Sequence, residues 1–118
     1  MRVTWWGHAT ALIDDGARVL TDPLLGLRIA HLVRRQGSSP QERHLDVDLV
    51  VLSHLHADHL HLPSLRLLPR GTRVLVPKGG GTLLRRLPID VQEVVEGDVV
   101  TTGQASVTAV PALHDGSR

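Results

Sequence analysis

Apolar and β-favouring residues fall into three short stretches at the start of the chain. These are residues 2–6, 9–14 and 17–21, and an Asp-Asp-Gly sequence at positions 14–16 separates the second from the third. Runs of this length bounded by turn residues are typical of strands, and an Asp-Gly pair between two of them is typical of a hairpin. We therefore expect the chain to begin with an antiparallel meander.

A nearly continuous apolar run between Leu45 and Ser53 predicts a strand that is buried on both faces. Before it, apolar residues at roughly helical spacing favour a short helix over residues 24–35, although Gly26 and the Gly, Ser and Pro residues that follow argue against one. After it, short helices and strands alternate, which indicates an α/β domain. These elements are helices at 63–68 and 82–87 and strands at 73–76, 91–95, 99–102 and 106–110.

The composition limits the classes of protein to which the chain can belong. Its 118 residues suffice for one hydrophobic core, so we expect a single domain over residues 1–118. That core must be aliphatic, because Trp5 and Trp6 are the sole aromatic residues among Phe, Tyr and Trp. Cysteine is absent, so any metal site must use histidine and carboxylate ligands.

Charge and hydropathy argue against two kinds of partner. The formal net charge is only +1 and the arginines are scattered, so we expect no nucleic-acid partner. No apolar stretch approaches the roughly 20 residues that a transmembrane helix needs. A signal-peptide pattern is also missing at the N-terminus, and a cytoplasmic location is the resulting expectation.

Four of the eight histidines lie between residues 54 and 61, directly after the long apolar run, and Asp58 lies among them. In extended backbone, side chains two residues apart point the same way, so His54 and His56 can converge on one ion. A turn at the small residue Ala57 then directs Asp58 and His59 toward a second position. Imidazole and carboxylate suit zinc, iron(II) or manganese, and such an ion activates water without a Ser or Cys nucleophile.

The alternative interpretation is a solvated, histidine-rich loop that only caps a helix or holds adventitious metal. Four candidate ligands within six residues, placed at the end of an apolar strand, favour the metal site. His61 falls outside this spacing and is interpreted as an ordinary surface residue.

The segment His54-x-His56-x-Asp58-His59 matches the HxHxDH signature, and through it the chain resembles the metallo-β-lactamase superfamily. The resemblance implies an αββα sandwich, of which this chain is the N-terminal half only. It also implies that His54, His56 and the downstream His114 bind one ion, while Asp58 and His59 contribute to another. We expect one or two ions of Zn²⁺, with Mn²⁺ and Fe²⁺ also suited to these ligands. Asp58 is in addition the candidate catalytic residue, because its carboxylate can orient the activated water or accept its proton.

The N-terminal segments 6–13 and 19–23 resemble the opening of one branch of that superfamily. This branch contains ascorbate-6-phosphate lactonase and the N-acyl-phosphatidylethanolamine phospholipase D-like enzymes, so the resemblance implies a small-molecule substrate of the lactone or phosphodiester type. By the same resemblance, Asp22 accepts a hydrogen bond from a metal-bound imidazole, and His8 lies near the pocket. Ordinary turn chemistry is the alternative for both residues.

By this resemblance, the ligand set of the second ion is incomplete, because the later Asp and the last His of the family's motif set are missing from this chain. We expect the chain to be the N-terminal part of a longer protein. The alternative is a half-domain that pairs with a complementary half or forms a homo-oligomer, since a lone half would expose apolar sheet surface. The leading functional hypothesis is therefore a metal-dependent hydrolase, and the alternative is a non-catalytic metal-binding half-domain.

A run of three glycines, Gly79 to Gly81, precedes a predicted helix in the way that a phosphate-binding loop does. It lacks the Lys-Ser/Thr ending of that motif, so we interpret it as a flexible connector.

Overall fold

Six strands form the main sheet, in a computed structural model that describes residues 1–25, 28–29, 32–33 and 45–111. In chain order the elements are β1 (Arg2–Gly7), β2 (Thr10–Asp14), β3 (Arg18–Thr21), β4 (Arg28–Ile29), β5 (Leu32–Val33), β6 (Leu49–Val51), α1 (Leu62–Leu65), β7 (Arg73–Pro77), α2 (Gly81–Leu84), β8 (Asp90–Val94), β9 (Val99–Thr102) and β10 (Ala105–Thr108). The main sheet has the order β1-β2-β3-β6-β7-β8.

The sheet is antiparallel in its first part and parallel in its second. β1, β2 and β3 form the predicted meander, and β3, β6, β7 and β8 then pair in parallel. Parallel neighbours need crossover connections, and the short helices α1 and α2 lie in two of these connections. The predicted α/β layout is confirmed.

The central strands are buried on both faces. Leu49 and Val50 of β6 are completely inaccessible to solvent, as are Leu20 on β3 and Val74 on β7. Because consecutive side chains of a strand point to opposite faces, Val50 packs with Leu20 and Val74 in one cluster, whereas Leu49 packs with Leu75 in another. The continuous apolar run therefore predicted this strand correctly, although β6 itself is only three residues long.

The predicted helix over residues 24–35 is wrong for the part of this range that the structure describes. β4 and β5 form a two-stranded antiparallel ladder, and Leu24 and Leu25 before them are buried in non-helical backbone. The backbone N–H groups of these two leucines donate to Thr10 Oγ1 at 2.9 Å and to Ser64 Oγ at 2.7 Å. Tertiary hydrogen bonds thus fix Leu24 and Leu25 in this non-helical backbone, which a helical spacing of apolar residues does not reveal.

A small second sheet of β9 and β10 packs over one face of the main sheet. Val100 on β9 is buried against the cluster that contains Leu49 and Leu75. Between the two sheets lies a groove of about 400 Å³, whose apolar wall includes Val51, Val94 and Val107. Among the described residues, no helix is long and apolar enough to cross a membrane.

Candidate metal centre

The carboxyl ends of β3 and β6 place the candidate residues side by side. The two strands are parallel, with Thr21 paired to Val51. Asp22 therefore follows β3 next to the point where residues 54–59, the histidine segment, follow β6. The backbone N–H of Asp22 donates to the carbonyl of Val51 at 2.9 Å, which ties the two strand ends together. In open α/β sheets this edge is where ligands usually bind.

Asp22 is the buried anchor of the site, with only 4% of its surface exposed. Its Oδ1 accepts from the backbone N–H of Ser53 at 2.6 Å, and its Oδ2 accepts from the Ser53 hydroxyl at 2.5 Å. Oδ2 also lies 2.8 Å from Nδ1 of His59. A carboxylate accepts and does not donate, so His59 must carry its proton on Nδ1, and its Nε2 is left with a lone pair for a metal ion.

The backbone of Asp22 adopts a positive φ of 36°, a region that L residues rarely occupy. Thr10 holds it there, since its buried hydroxyl donates to the Asp22 carbonyl at 2.8 Å and accepts from the N–H of Leu24 at 2.9 Å. The predicted role of Asp22 as the acceptor of an imidazole N–H fits this geometry.

The side chains of His8, Asp58 and His59 converge, although His8 comes from a distant part of the chain. Nε2 of His8 lies 3.1 Å from Asp58 Oδ2, and Nε2 of His59 lies 3.7 Å from the same oxygen. One ligand atom from each of the three residues lies within 4.8 Å of the others. The sequence predicted that His8 lies near the pocket but not that its ring contacts Asp58. Its position directly after a predicted strand was the one local feature that pointed to the site.

The first two histidines of the motif lie beside this trio. The ring centroids of His54 and His56 are 4.7 Å apart in an edge-to-face arrangement, and those of His54 and His59 are 3.9 Å apart. Nδ1 of His54 also lies 2.9 Å from the Ser53 hydroxyl. The structure thus brings together four of the five predicted ligands, and His114 lies outside the described residues.

The carboxyl group of Asp58 has a pKa below its ordinary value. Burial raises this pKa, but a backbone hydrogen bond and the positive charges that His59 and His8 carry when protonated lower it by more, with a side-chain hydrogen bond from His8 adding to the effect. Asp58 is therefore a carboxylate at neutral pH, the form that binds a cation.

The donor set fits a divalent cation. Tetrahedral ligands about 2.0–2.2 Å from an ion are separated from one another by about 3.3–3.6 Å. The distances of 3.1 and 3.7 Å around Asp58 Oδ2 bracket this separation. Nitrogen and oxygen donors of this kind suit zinc, manganese and iron(II), so the geometry fits a metal ion without selecting one.

His61 is not the ordinary surface residue that its sequence position suggested. It is half-buried, and its Nδ1 lies 2.7 Å from the hydroxyl of Ser64, which in turn accepts from the backbone N–H of Leu25. Burial lowers the pKa of the His61 imidazole. His61 thus connects the start of α1 to the segment after β3.

The glycine run forms a hydrogen-bonded turn that connects β7 to α2. Glu93 Oε1 accepts from the backbone N–H groups of Gly79 and Gly81 at 3.2 and 3.0 Å. A phosphate cradle would use these amide N–H groups to bind phosphate, but here they already donate to the Glu93 carboxylate. Gly80 packs so closely that an added Cβ would clash with Cγ2 of Val76.

Comparison with known proteins agrees with this fold. A profile of the beta-lactamase superfamily domain matches residues 17–118, which is most of the chain, and the chain therefore belongs to that family. An uncharacterized protein of Mycobacterium tuberculosis (strain H37Rv) is 38% identical over 130 residues, covering all of this chain and 35% of that protein. A UPF0173 metal-dependent hydrolase of Methanopyrus kandleri is 32% identical over 126 residues, covering 97% of this chain and 47% of that protein.

Two solved structures are similar in fold. CmlA, a diiron beta-hydroxylase from Streptomyces venezuelae, has a TM-score of 0.73 and 30% identity, covering 94% of this chain and 24% of CmlA. An isothiocyanate hydrolase from Delia radicum gut bacteria has a TM-score of 0.66 at 22% identity, covering 86% of this chain and 44% of the hydrolase. The matches confirm the predicted metallo-β-lactamase fold, of which this chain represents the N-terminal part. The chain spans between about a third and about half of the length of its curated relatives. It covers 35% of the M. tuberculosis protein and 47% of the M. kandleri protein.

Proposed function

We propose that this chain carries the metal-binding half of a metal-dependent hydrolase. The observation that carries the proposal is the convergence of Asp58 and His59 beside His54 and His56, with Asp22 fixing the His59 tautomer. An ion bound by such ligands lowers the pKa of a bound water to about 7 and so provides a nucleophile at neutral pH.

The chain's own residues have separate roles in this proposal. His54 and His56, together with His114, hold one ion, and Asp58 and His59 contribute to a second. Asp58 is the candidate catalytic residue as well, because its half-exposed carboxylate can accept a hydrogen bond or a proton from water at the site. Asp22 orients His59 and takes no part in bond breaking.

Zinc is the proposed ion, with manganese and iron(II) as the alternatives. The His and Asp donors suit all three, and the structural relative CmlA is described as a diiron protein. The proposed substrate is a small lactone or phosphodiester, which rests on the resemblance of the N-terminal segments to the lactonase branch. The M. kandleri relative, described as a metal-dependent hydrolase, supports the reaction class and not the substrate.

Metal analysis combined with a hydrolysis assay tests the proposal. The purified protein, and a longer natural form containing it, are assayed for zinc, manganese and iron content and for turnover of a panel of lactones and bis-p-nitrophenyl phosphate. We expect turnover that is lost with chelator, with His54→Ala and with Asp58→Asn. The exposed Asp90, outside the site on β8, provides the matched control Asp90→Asn, which should keep full activity.

The second candidate function is a non-catalytic, metal-binding half-domain that pairs with a complementary chain or a second copy of itself. The apolar groove between the two sheets favours it, because apolar surface open to solvent is typical of an interface. Stoichiometric metal without turnover in the longer form, together with a dimeric mass in sedimentation, would support this candidate over the hydrolase.

A further inference from the structure

We propose that His8 is a ligand of the ion that Asp58 and His59 hold, so that residues of this chain alone provide three ligands for that position. The inference rests on the proposed function, because it assigns a further ligand within the same centre. It concerns a residue that lies 50 positions before Asp58 in the sequence and outside the HxHxDH motif.

The distances at Asp58 carry the inference. The Asp58 oxygen Oδ2 lies 3.1 Å from His8 Nε2 and 3.7 Å from His59 Nε2, and the three ligand atoms lie within 4.8 Å of one another. The distances of 3.1 and 3.7 Å bracket the separation of about 3.3–3.6 Å expected for tetrahedral ligands about 2.0–2.2 Å from one ion. His8 and Asp58 are both exposed, with 41% and 52% of their side-chain surfaces accessible, so an ion can reach them from solvent.

The backbone presents His8 to the site through an irregular turn between β1 and β2. The register of the two strands shifts between Trp5 and Gly7, and Gly7 and His8 both adopt positive φ values, 106° and 54°. Positive φ is uncommon for a residue other than glycine. The indole N–H of Trp5 donates to the His8 carbonyl at 2.9 Å and holds this conformation. Bulges beside functional sites often redirect a side chain in this way.

A different role for His8 would be to orient Asp58 through a hydrogen bond without touching the ion. Glutamine separates the two roles, because its amide N–H can still donate to Asp58 Oδ2 whereas its carbonyl is a far weaker zinc ligand than imidazole. The variants His8→Gln and His8→Ala therefore give different patterns under the two roles. The control is Arg2→Gln, at an exposed position on β1, the strand that precedes His8.

Zinc affinity is measured by competition with a chelating dye, and the absorption spectrum of the Co²⁺-loaded protein reports the ligand set. We expect both His8 variants to bind zinc at the Asp58 position at least about tenfold more weakly than wild type and to alter the Co²⁺ spectrum, while Arg2→Gln does neither. Circular dichroism of the metal-free variants checks that they are folded.

A measurement on unmodified protein makes the test independent of variant folding. With ¹¹³Cd²⁺ in the site, scalar coupling between the ion and Nε2 of ¹⁵N-labelled His8 is expected. Absence of that coupling while His59 shows one, or full affinity in His8→Gln with loss only in His8→Ala, would overturn the ligand role. If Asp58→Ala and His59→Ala also bind zinc as tightly as wild type, the proposed function itself fails, which is a distinguishable result.

Discussion

The Oδ2 atom of Asp22 lies 2.8 Å from Nδ1 of His59, across 37 residues of sequence. Asp22 is buried at the end of β3, and His59 reaches it from the turn that follows β6. The same carboxylate accepts the backbone N–H and the hydroxyl of Ser53, so one side chain fixes both the start of the histidine segment and the tautomer of a candidate ligand.

Replacing this carboxylate tests the relationship directly. In Asp22→Asn, one oxygen acceptor becomes an NH₂ donor. If that oxygen is Oδ1, the backbone N–H of Ser53 loses its acceptor, and if it is Oδ2, the Ser53 hydroxyl and the His59 imidazole lose theirs. We expect zinc affinity to fall by about 10–100-fold, because partners that orient metal-bound imidazoles have effects of this size. The free energy of unfolding should fall by about 1–3 kcal/mol, the cost of leaving a buried polar group unpaired. Dye competition and urea denaturation measure the two effects.

The exposed Asp90→Asn serves as the control and should change neither quantity. Equal zinc affinity in Asp22→Asn and wild type would mean that the contact with His59 has no bearing on metal binding.

Leu60, the residue after His59, anchors the histidine segment to the core. It is completely buried and belongs to the larger hydrophobic cluster, and its N–H donates to the His56 carbonyl at 2.8 Å. We expect Leu60→Ala to lower the free energy of unfolding by about 2–5 kcal/mol through the cavity it leaves. The comparison is Leu67→Ala, since Leu67 is 55% exposed and its truncation should cost little. Similar unfolding midpoints for the two variants in urea would contradict the assignment of Leu60 to the core.

Gly80 lies close to the candidate site and is so tightly packed that a larger residue does not fit there. A Cβ there would clash with Val76 Cγ2 and would lie 2.8 Å from Cδ2 of Leu55, a residue of the histidine segment. We expect Gly80→Ala to destabilise the protein by about 1–3 kcal/mol through overpacking.

The double variant Gly80→Ala with Val76→Ala removes the closer of the two clashing atoms. It should be more stable than the sum of the single changes predicts, because residues in contact are energetically coupled. Strict additivity in thermal and urea unfolding would show that the clash is not the cause.

His61 makes stability depend on pH, and the sign follows from its lowered pKa. Burial penalises the charged imidazole in the folded state, so the unfolded chain binds the proton at a higher pH than the folded chain does. Its stabilising contribution is therefore fully present above the unfolded value of 6.5 and is lost as pH falls through 6.5 toward the lower folded value. We expect the free energy of unfolding, measured in urea with chelator present, to fall on acidification below 6.5 in wild type and to fall less in His61→Gln. Parallel pH profiles for the two proteins would show that His61 makes no such contribution.

Local sequence patterns predicted the elements that local chemistry specifies. An Asp-Asp-Gly turn between β-favouring runs predicted the hairpin of β2 and β3, and an apolar run predicted the doubly buried β6. Patterns failed where distant groups supply the hydrogen bonds. Residues 24–35 have apolar spacing compatible with a helix, but Leu24 and Leu25 are buried in non-helical backbone, where their N–H groups donate to Thr10 and Ser64.

The sequence by itself determined the chemistry of the candidate site. Its lack of cysteine and its spacing of His54, His56, Asp58 and His59 restrict any metal ligands to imidazole and carboxylate, because residue type and spacing are local properties. Only the tertiary structure decided which other residues join them. The parallel pairing of β3 with β6 brings Asp22 to His59, and the irregular β1–β2 turn brings His8 to Asp58. Contacts between residues 37 and 50 positions apart depend on strand order and register, which are set by the burial of the whole sheet and not by any one segment.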